Sequence, residues 1–398
     1  MSSRWNYRTL EEAVSASIAN SVRVRGVERV ALDSAWGRVI SATVKGKLDV
    51  PPWNRSTVDG FALRSGDTSD GENRLRVIGE ARAGTFFKGR VGRGECVRIA
   101  TGAPMPEGTD ASVMFEHTDE AEGMISFRGR IQRWEEVSKK GADIKKGAVI
   151  AERERVLTTG LLGALASQGM THVAVTRKPV VAVIPGGDEI APFGKKAGRG
   201  QIYDVNSHTI SSVIERAGGN AIMLPPAVDD RECIRSSLRN ALKYDACVFA
   251  SGSSVGQRDF VSGVIREEGR LLFHGVRIRP GRPTMLGVVK RKPVFGLAGH
   301  PVSSFLGAHY LVGPSVRKMA GIPEIRAHRI VAAQYCGAER ADEHMAHLLP
   351  VRLEGEKCYP VFKESGAITS ISEADGIVMQ PSGIAVRNGE KVLVEMLQ

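Results

Sequence analysis

The residues of this chain whose types and spacing carry most chemistry lie in ASGSSVGQRDF, residues 250–260, where an apolar run gives way to a Gly/Ser loop and then to a helical pattern. Small residues just past a strand let backbone N–H groups approach phosphate closely. An acid at the far end can hold a metal or order those donors. Gly252, Ser254 and Gly256 are the close-approach positions, and Asp259 is the candidate metal ligand. An ordinary strand-to-helix turn with a capping Asp accounts for the same text, and on this loop alone the two readings weigh equally.

Three further loops follow strand-like runs. In PGGDEI, residues 185–190, the glycines permit tight approach, and Asp188 and Glu189 can bind a ribose hydroxyl or a cation; a solvated acidic turn is the simpler alternative. In RIRPGRPT, Arg279 and Arg282 flank Pro280 and Gly281, which makes an oxyanion clamp of two planar donor forks. In GLAGHPVSSF, Pro301 opens a helix and is followed by Ser303 and Ser304, so that free backbone N–H groups and two hydroxyls can hold phosphate. His300 can add proton transfer or metal binding, although a lone loop histidine more often makes an ordinary hydrogen bond. Upstream, PPWNRSTVDGFALR places Ser56 and Asp59, and RIATGAPMPEGTDA places Thr101, in Pro- and Gly-flanked loops. No HExxH, GKS or GKT motif and no Cys–His pair at a telling spacing is present, so any chemistry rests on carboxylates, cations and a bound metal.

Elements that position these loops are legible in the periodicity. From Lys178, strand-like runs (VVAVIP, AIMLPP, ACVFA) alternate with helical ones (HTISSVIERAG, DDRECIRSSLRNALK, DFVSGVIREEG), which implies a mostly parallel sheet covered by helices, with a ligand crevice at its C-terminal strand ends. LEEAVSASIANSV reads as a helix, and VERVALDSAWGRVISATVKGKLDV reads as alternating strands. The expected organisation is an α/β and β multidomain chain. Residues 1–48 and 141–177 form a discontinuous N-terminal α/β domain, 49–140 an inserted β domain, 178–321 the central α/β domain and 322–398 a C-terminal β domain.

With 42% hydrophobic and 25% charged residues, the composition is that of a globular protein. No apolar run is long enough for a membrane span, and MSSRWNYRTLEEAV lacks an apolar signal region, so a cytoplasmic location is expected. Five scattered cysteines read as reduced thiols. The net charge of +11 favours anionic partners, but basic clusters without interleaved aromatics argue against nucleic acid.

Taken together and in this order, the loops resemble the MoeA family, the molybdopterin molybdenumtransferases, which include the E domain of gephyrin. PPWNRSTVDGFALR is similar to the family's S-x-x-D-G-[YF]-A signature, RIATGAPMPEGTDASVMFEH to its RIxTGAxxPxGADxVVxxE, GADIKKG to G-x-D-I-x-x-G, and GQIYDVN to G-x-I-x-[DN]-x-N. The resemblance implies insertion of molybdate or tungstate into adenylylated molybdopterin with release of AMP, assisted by Mg²⁺ or Zn²⁺. It implies that the central α/β domain binds molybdopterin, and that a homodimer shares its sites between subunits, with transient contact to the molybdopterin adenylyltransferase. A cationic cleft suits such a substrate, because it offsets the repulsion between molybdate and an already anionic pterin.

By residue, the resemblance assigns activity to Asp59, Thr101, Glu189 and Asp259, and to Asp229 or Asp230. Asp259 and Glu189 are its metal ligands. Its substrate-binding set is Ser56, Asp188, Asp229, Gly252, Ser254, Gly256, Arg279, Arg282, His300, Pro301 and Ser303. Ser365 and Arg352 are the C-terminal anion candidates. Several positions depart from the family pattern. Ser251 replaces the first glycine of G-G-x-S-x-G, Gly186 the threonine of T-G-D-E, Ala298 and His300 two positions of P-G-N-P, and the two arginines the lysines of KPGKP. These departures cluster around the proposed site, and they give the alternative of a weakened paralogue acting as a molybdopterin-binding or scaffold protein.

Overall fold

Runs such as VVAVI, ACVF and KPVFG are too short for helices, rich in β-branched or aromatic residues and bounded by Pro, Asp or Gly, so they form strands. The computed structural model describes residues 6–191, 194–250, 260–323 and 329–397, and the chain divides into two units, Met1–Glu28 with Thr176–Gln398, and Arg29–Val175.

The first unit opens with α1 (Leu10–Ala19), started by a capping box in which Thr9 and Glu12 each accept the other's backbone N–H. Next come β1 (Val180–Ile184), α2 (Asn206–Arg216), β2 (Asn220–Met223), α3 (Arg231–Ala241), β3 (Ala246–Phe249), α4 (Phe260–Glu268), β4 (Arg270–His274), β5 (Met285–Val289) and β6 (Lys292–Gly296). The strand order is β2-β1-β3-β6-β5-β4. The first four strands are parallel, with Val181 opposite Ala246 and Cys247 opposite Val294, whereas β5 and β4 add antiparallel pairings.

Alternation along β1 and β3 feeds two cores. Val181, Val183, Ala246 and Val248 pack with Ile210 and Ile214 of α2; Ala182, Ile184, Cys247 and Phe249 pack with Leu238 of α3 and Val264 of α4. Each fully buried Ile or Phe contributes roughly 1.5–3 kcal/mol. Cys247 behaves as one more core apolar group, its thiol pushed up to about 12 by burial, and all five cysteines are free, as the sequence suggested.

At the opposite end of the sheet from the loops, Asp245 joins two strand starts. Its carboxylate accepts two bonds from Arg177 (both 2.8 Å) and one from the Val180 N–H (2.7 Å). Burial alone would raise this carboxyl, but the Arg177 and Val180 bonds outweigh it and leave Asp245 below its ordinary value. A depressed folded value means stability that is complete above the ordinary carboxylate range and lost as pH falls through the lowered one. Asp245→Asn therefore costs about 1–2 kcal/mol at neutral pH. Urea unfolding of both proteins should show that deficit unchanged down to about pH 5 and shrinking below about pH 4; a deficit independent of pH would refute the assignment.

After β6 come α5 (Pro301–Gly307), a π turn at Ala308–Val312 and α6 (Gly313–Ala320). The C-terminal strands β7 (Ile330–Tyr335), β8 (Ala346–Glu354), β9 (Lys357–Pro360), β10 (Gly376–Gln380) and β11 (Lys391–Met396) run in the order β8-β9-β7-β11-β10, and β10 pairs back with β8 to close the ring. Closure leaves no open edge among these five strands. Leu348, Ile377 and Leu397 share one core with α5 and α6, so this barrel is fixed on the α/β sheet's helical face.

In the second unit, Gly60–Leu63, Glu72–Ala81, Glu95–Ile99, Ala111–Met114, Asp119–Ala121 and Met124–Arg128 form a six-stranded sheet around Phe61, Leu63, Leu75 and Ile125. The alternation read over 27–50 yields only Val27–Ala31 and Val44–Lys45 as strands, because a 3-10 turn at Leu32–Ser34 and a left-handed Gly37 break the run.

Candidate functional site

The chain leaves β1, returns on one side as β2, and then crosses to the other side as β3. Loops after β1 and β3 consequently diverge and leave a crevice at their C-terminal ends, which is where sheets of this type bind ligands. Pro185, Gly186 and Glu189 from the first loop, Ala250 from the second, and Gly299 and Pro301 after β6 line a small pocket there of about 70 Å³. The rest of the second loop, with Gly252, Ser254, Gly256 and Asp259, lies outside the described residues.

Asn206, not singled out from the sequence, ties these loops together. Its Nδ2 donates to Gly299 O (2.7 Å) and Ala250 O (3.4 Å), at the exits of two strands. It belongs to the GQIYDVN stretch, whose resemblance was its only signal.

Acidic groups collect beside the pocket. Asp188 accepts the Asp229 N–H (3.4 Å), and Gly186 bridges to Ala227, which holds the two loops side by side. Asp230 instead caps α3 by accepting the Cys233 N–H, so of the two VDDRE acids it is Asp229 whose backbone N–H meets Asp188. Among the described residues no group of three or more His, Cys, Asp or Glu side chains is arranged to hold a metal by itself.

Basic groups collect on the other side of Gly299–Pro301. Arg279, Arg282, Ser303, His344, Lys363 and Ser365 line a cleft of about 740 Å³. Its first wall is the turn 278–283, where Ile278 and Arg279 pair with β8 and Gly281 takes a φ of +115°, a conformation an L side chain rarely adopts. Thr284 locks that turn by donating to Gly281 O through both its N–H and its hydroxyl. Lys363 is anchored by Glu373 (2.7 Å) and Thr369 (3.0 Å). The N–H of His344 holds the Asp342 carboxyl below the ordinary range, with Met345, His347 and Arg279 adding to it.

Two expectations change here. Ser304 is fully buried, and its hydroxyl meets no partner among the described residues, so Ser303 alone of the pair faces the cleft. The Val302 N–H is taken by Ser365 O (3.1 Å) and the Ser304 N–H by His300 O (2.9 Å), and neither is available to phosphate. Ser365 joins the cleft, whereas Arg352 pairs with Glu354 away from it.

In the unit Arg29–Val175, Ser56, Asp59 and Thr101 come together. Asp59 accepts the Thr101 N–H at 2.8 Å, and the Ser56 and Ala100–Ala103 backbones are zipped by Gly102 N–H to Ser56 O and Ser56 N–H to Ala103 O. Ser56 itself is 1% exposed, and its hydroxyl is used by Val58 O and Ser112. Its role is to shape the loop that presents the exposed Asp59.

Three family models cover the chain in order: the MoeA N-terminal region (domains I and II) over residues 8–169, a probable molybdopterin binding domain over 182–318, and the MoeA C-terminal region (domain IV) over 337–397. The molybdopterin molybdenumtransferase of Staphylococcus aureus (strain COL) is 32% identical over 89% of this chain and 87% of its own length. The chain belongs to the MoeA family. A Staphylococcus epidermidis molybdopterin molybdenumtransferase is 30% identical over 94% of the chain and 92% of that protein. Two crystal structures of MoeA proteins from Pyrococcus horikoshii superpose with TM-scores of 0.82 and 0.85, at 34% and 26% identity, over 99% and 98% of the chain and all of each of theirs. No helix among the described residues is long and apolar enough to cross a membrane.

Proposed function

We propose that this chain is a molybdopterin molybdenumtransferase of molybdenum cofactor biosynthesis, which inserts molybdate or tungstate into adenylylated molybdopterin and releases AMP. The observation that carries the reading is the cleft bearing Arg279, Arg282, Ser303 and Ser365 beside a switch-point crevice edged by Asp188, Glu189 and Asp229. A dianion needs donors and positive charge, and a nucleotide phosphate needs loops of close backbone approach; the two requirements are met on either side of Gly299–Pro301.

In this reading the arginine forks and the Ser303 and Ser365 hydroxyls hold the oxyanion, while Gly252, Ser254 and Gly256 approach the adenylyl phosphate. Mg²⁺ held by Asp259 and Glu189 would supply charge neutralisation at the phosphoanhydride when bound. Asp188 and Asp229 orient that end of the substrate, and His300 and Pro301 separate the two pockets. Asp59 and Thr101 act from the neighbouring subunit of a homodimer, and the substrate arrives by transient contact with the adenylyltransferase that makes it.

The test is incubation with adenylylated molybdopterin and Mg²⁺, with and without molybdate or tungstate, followed by measurement of AMP. Release that requires the oxyanion is expected; tight binding without release would refute the assignment.

A further inference from the structure

Ser365 is fastened twice where the chain enters α5. Its carbonyl accepts from the Val302 N–H, and its Oγ lies 2.7 Å from His300 Nδ1. A hydroxyl has one proton, so the direction of this second bond decides what Ser365 offers the cleft it lines. With Nδ1 bare, Ser365 donates to the ring and turns only lone pairs toward the cleft. With Nδ1 protonated, the ring donates and the Ser365 O–H is released. An oxyanion only accepts hydrogen bonds, so it gains a donor from Ser365 in the second arrangement alone. A neutral ring can place its proton on Nδ1, but the imidazolium does so on every ring and brings a positive charge as well.

We infer that oxyanion binding in this cleft is linked to proton uptake at His300, which acts through Ser365 as a positioning residue. The inference rests on the assignment of the cleft to an oxyanion. Charged and titratable groups around it are Arg279 and Arg282 from the turn, Asp342 and His344 from the loop before β8, Lys363 and Glu364 beside Ser365, and Glu189 and Asp204 in the pocket beyond Gly299. His347 lies near Asp342. Only imidazoles among these side-chain types ordinarily change charge between about pH 5 and about pH 8, so His344 and His347 are the controls.

The experiment is calorimetric titration of the full chain with sodium sulfate, and in parallel with molybdate, at about pH 8 and about pH 6, in buffers of different ionisation enthalpy. Wild-type affinity should rise roughly tenfold toward the lower pH, with net proton uptake. His300→Asn, whose amide can donate to Ser365 at either pH, should bind comparably at both, and Ser365→Ala should also lose the pH dependence. His344→Asn and His347→Asn should keep it. Equal wild-type affinity at the two pH values, or wild-type pH dependence surviving in His300→Asn, overturns the linkage. Failure of the wild type to bind either anion at both pH values, or undiminished binding after Arg279→Gln with Arg282→Gln, overturns the oxyanion assignment beneath it. Unchanged thermal unfolding of each variant excludes misfolding as the cause.

Discussion

Replacing Arg279 and Arg282 together by glutamine should lower kcat/KM for molybdate-dependent AMP release by about 10³-fold or more, with little change in Tm. Removing one preorganised donor to a developing or bound anion typically costs about 10²–10³-fold, and two donors on one anion do not act independently, so the pair gives a floor rather than a product. Both side chains are exposed in the cleft, and the turn that carries them is held by backbone and by Thr284, which is why the fold should survive. Lysine at both positions should restore part of the activity, because charge is retained although the planar fork is lost. A double glutamine variant within tenfold of wild type in steady-state kinetics would show that the oxyanion binds elsewhere.

The second large effect is on stability. Gly60 lies in a strand paired on both sides, opposite Ile99 and Met114, and an added Cβ would sit 1.9 Å from Val113 O. That atom is backbone and cannot swing away, so Gly60→Ala must push apart its own strand, which is paired on both sides, and the neighbouring Ala111–Met114 strand. We expect a loss of about 3 kcal/mol or more. The same shift moves Asp59, whose carbonyl accepts the Phe115 N–H and whose carboxylate accepts the Thr101 N–H, so oxyanion-dependent turnover should fall in the variant even where it remains folded. Gly66→Ala is the control. A methyl group added there meets nothing within 4 Å and the φ of Gly66 is not left-handed, so the stability of this variant should stay within about 0.5 kcal/mol of wild type. Equal thermal unfolding of the two variants would contradict the steric account.

Much of this is legible in the residues alone. Periods of two and of about 3.6 residues mark the α/β segment, because each strand of the central sheet feeds a core on either face and each covering helix has one apolar stripe. Arg279 and Arg282 stand out because Pro280 and Gly281 restrict their turn. Strand order does not: β1 comes first in the chain but lies between β2 and β3, and nothing local in VVAVI says so. Choosing between Asp229 and Asp230 requires knowing where α3 begins. That Ser304 is fully enclosed while the nearly buried Ser303 lines the cleft depends on how α5 lies against the barrel, which one helical turn cannot reveal. Lys363 sits in a polar stretch without period, so nothing local marks its place in the cleft beside the Ser365 candidate.

On this assignment the basic cleft and the switch-point crevice together perform oxyanion-dependent transfer. Quantifying AMP from purified protein, adenylylated molybdopterin and Mg²⁺, with and without molybdate or tungstate, tests it most directly. Release should require the oxyanion and should be lost in the Arg279→Gln, Arg282→Gln variant. Adenylylated pterin held intact in the presence of either oxyanion, or AMP released equally in their absence, would contradict it.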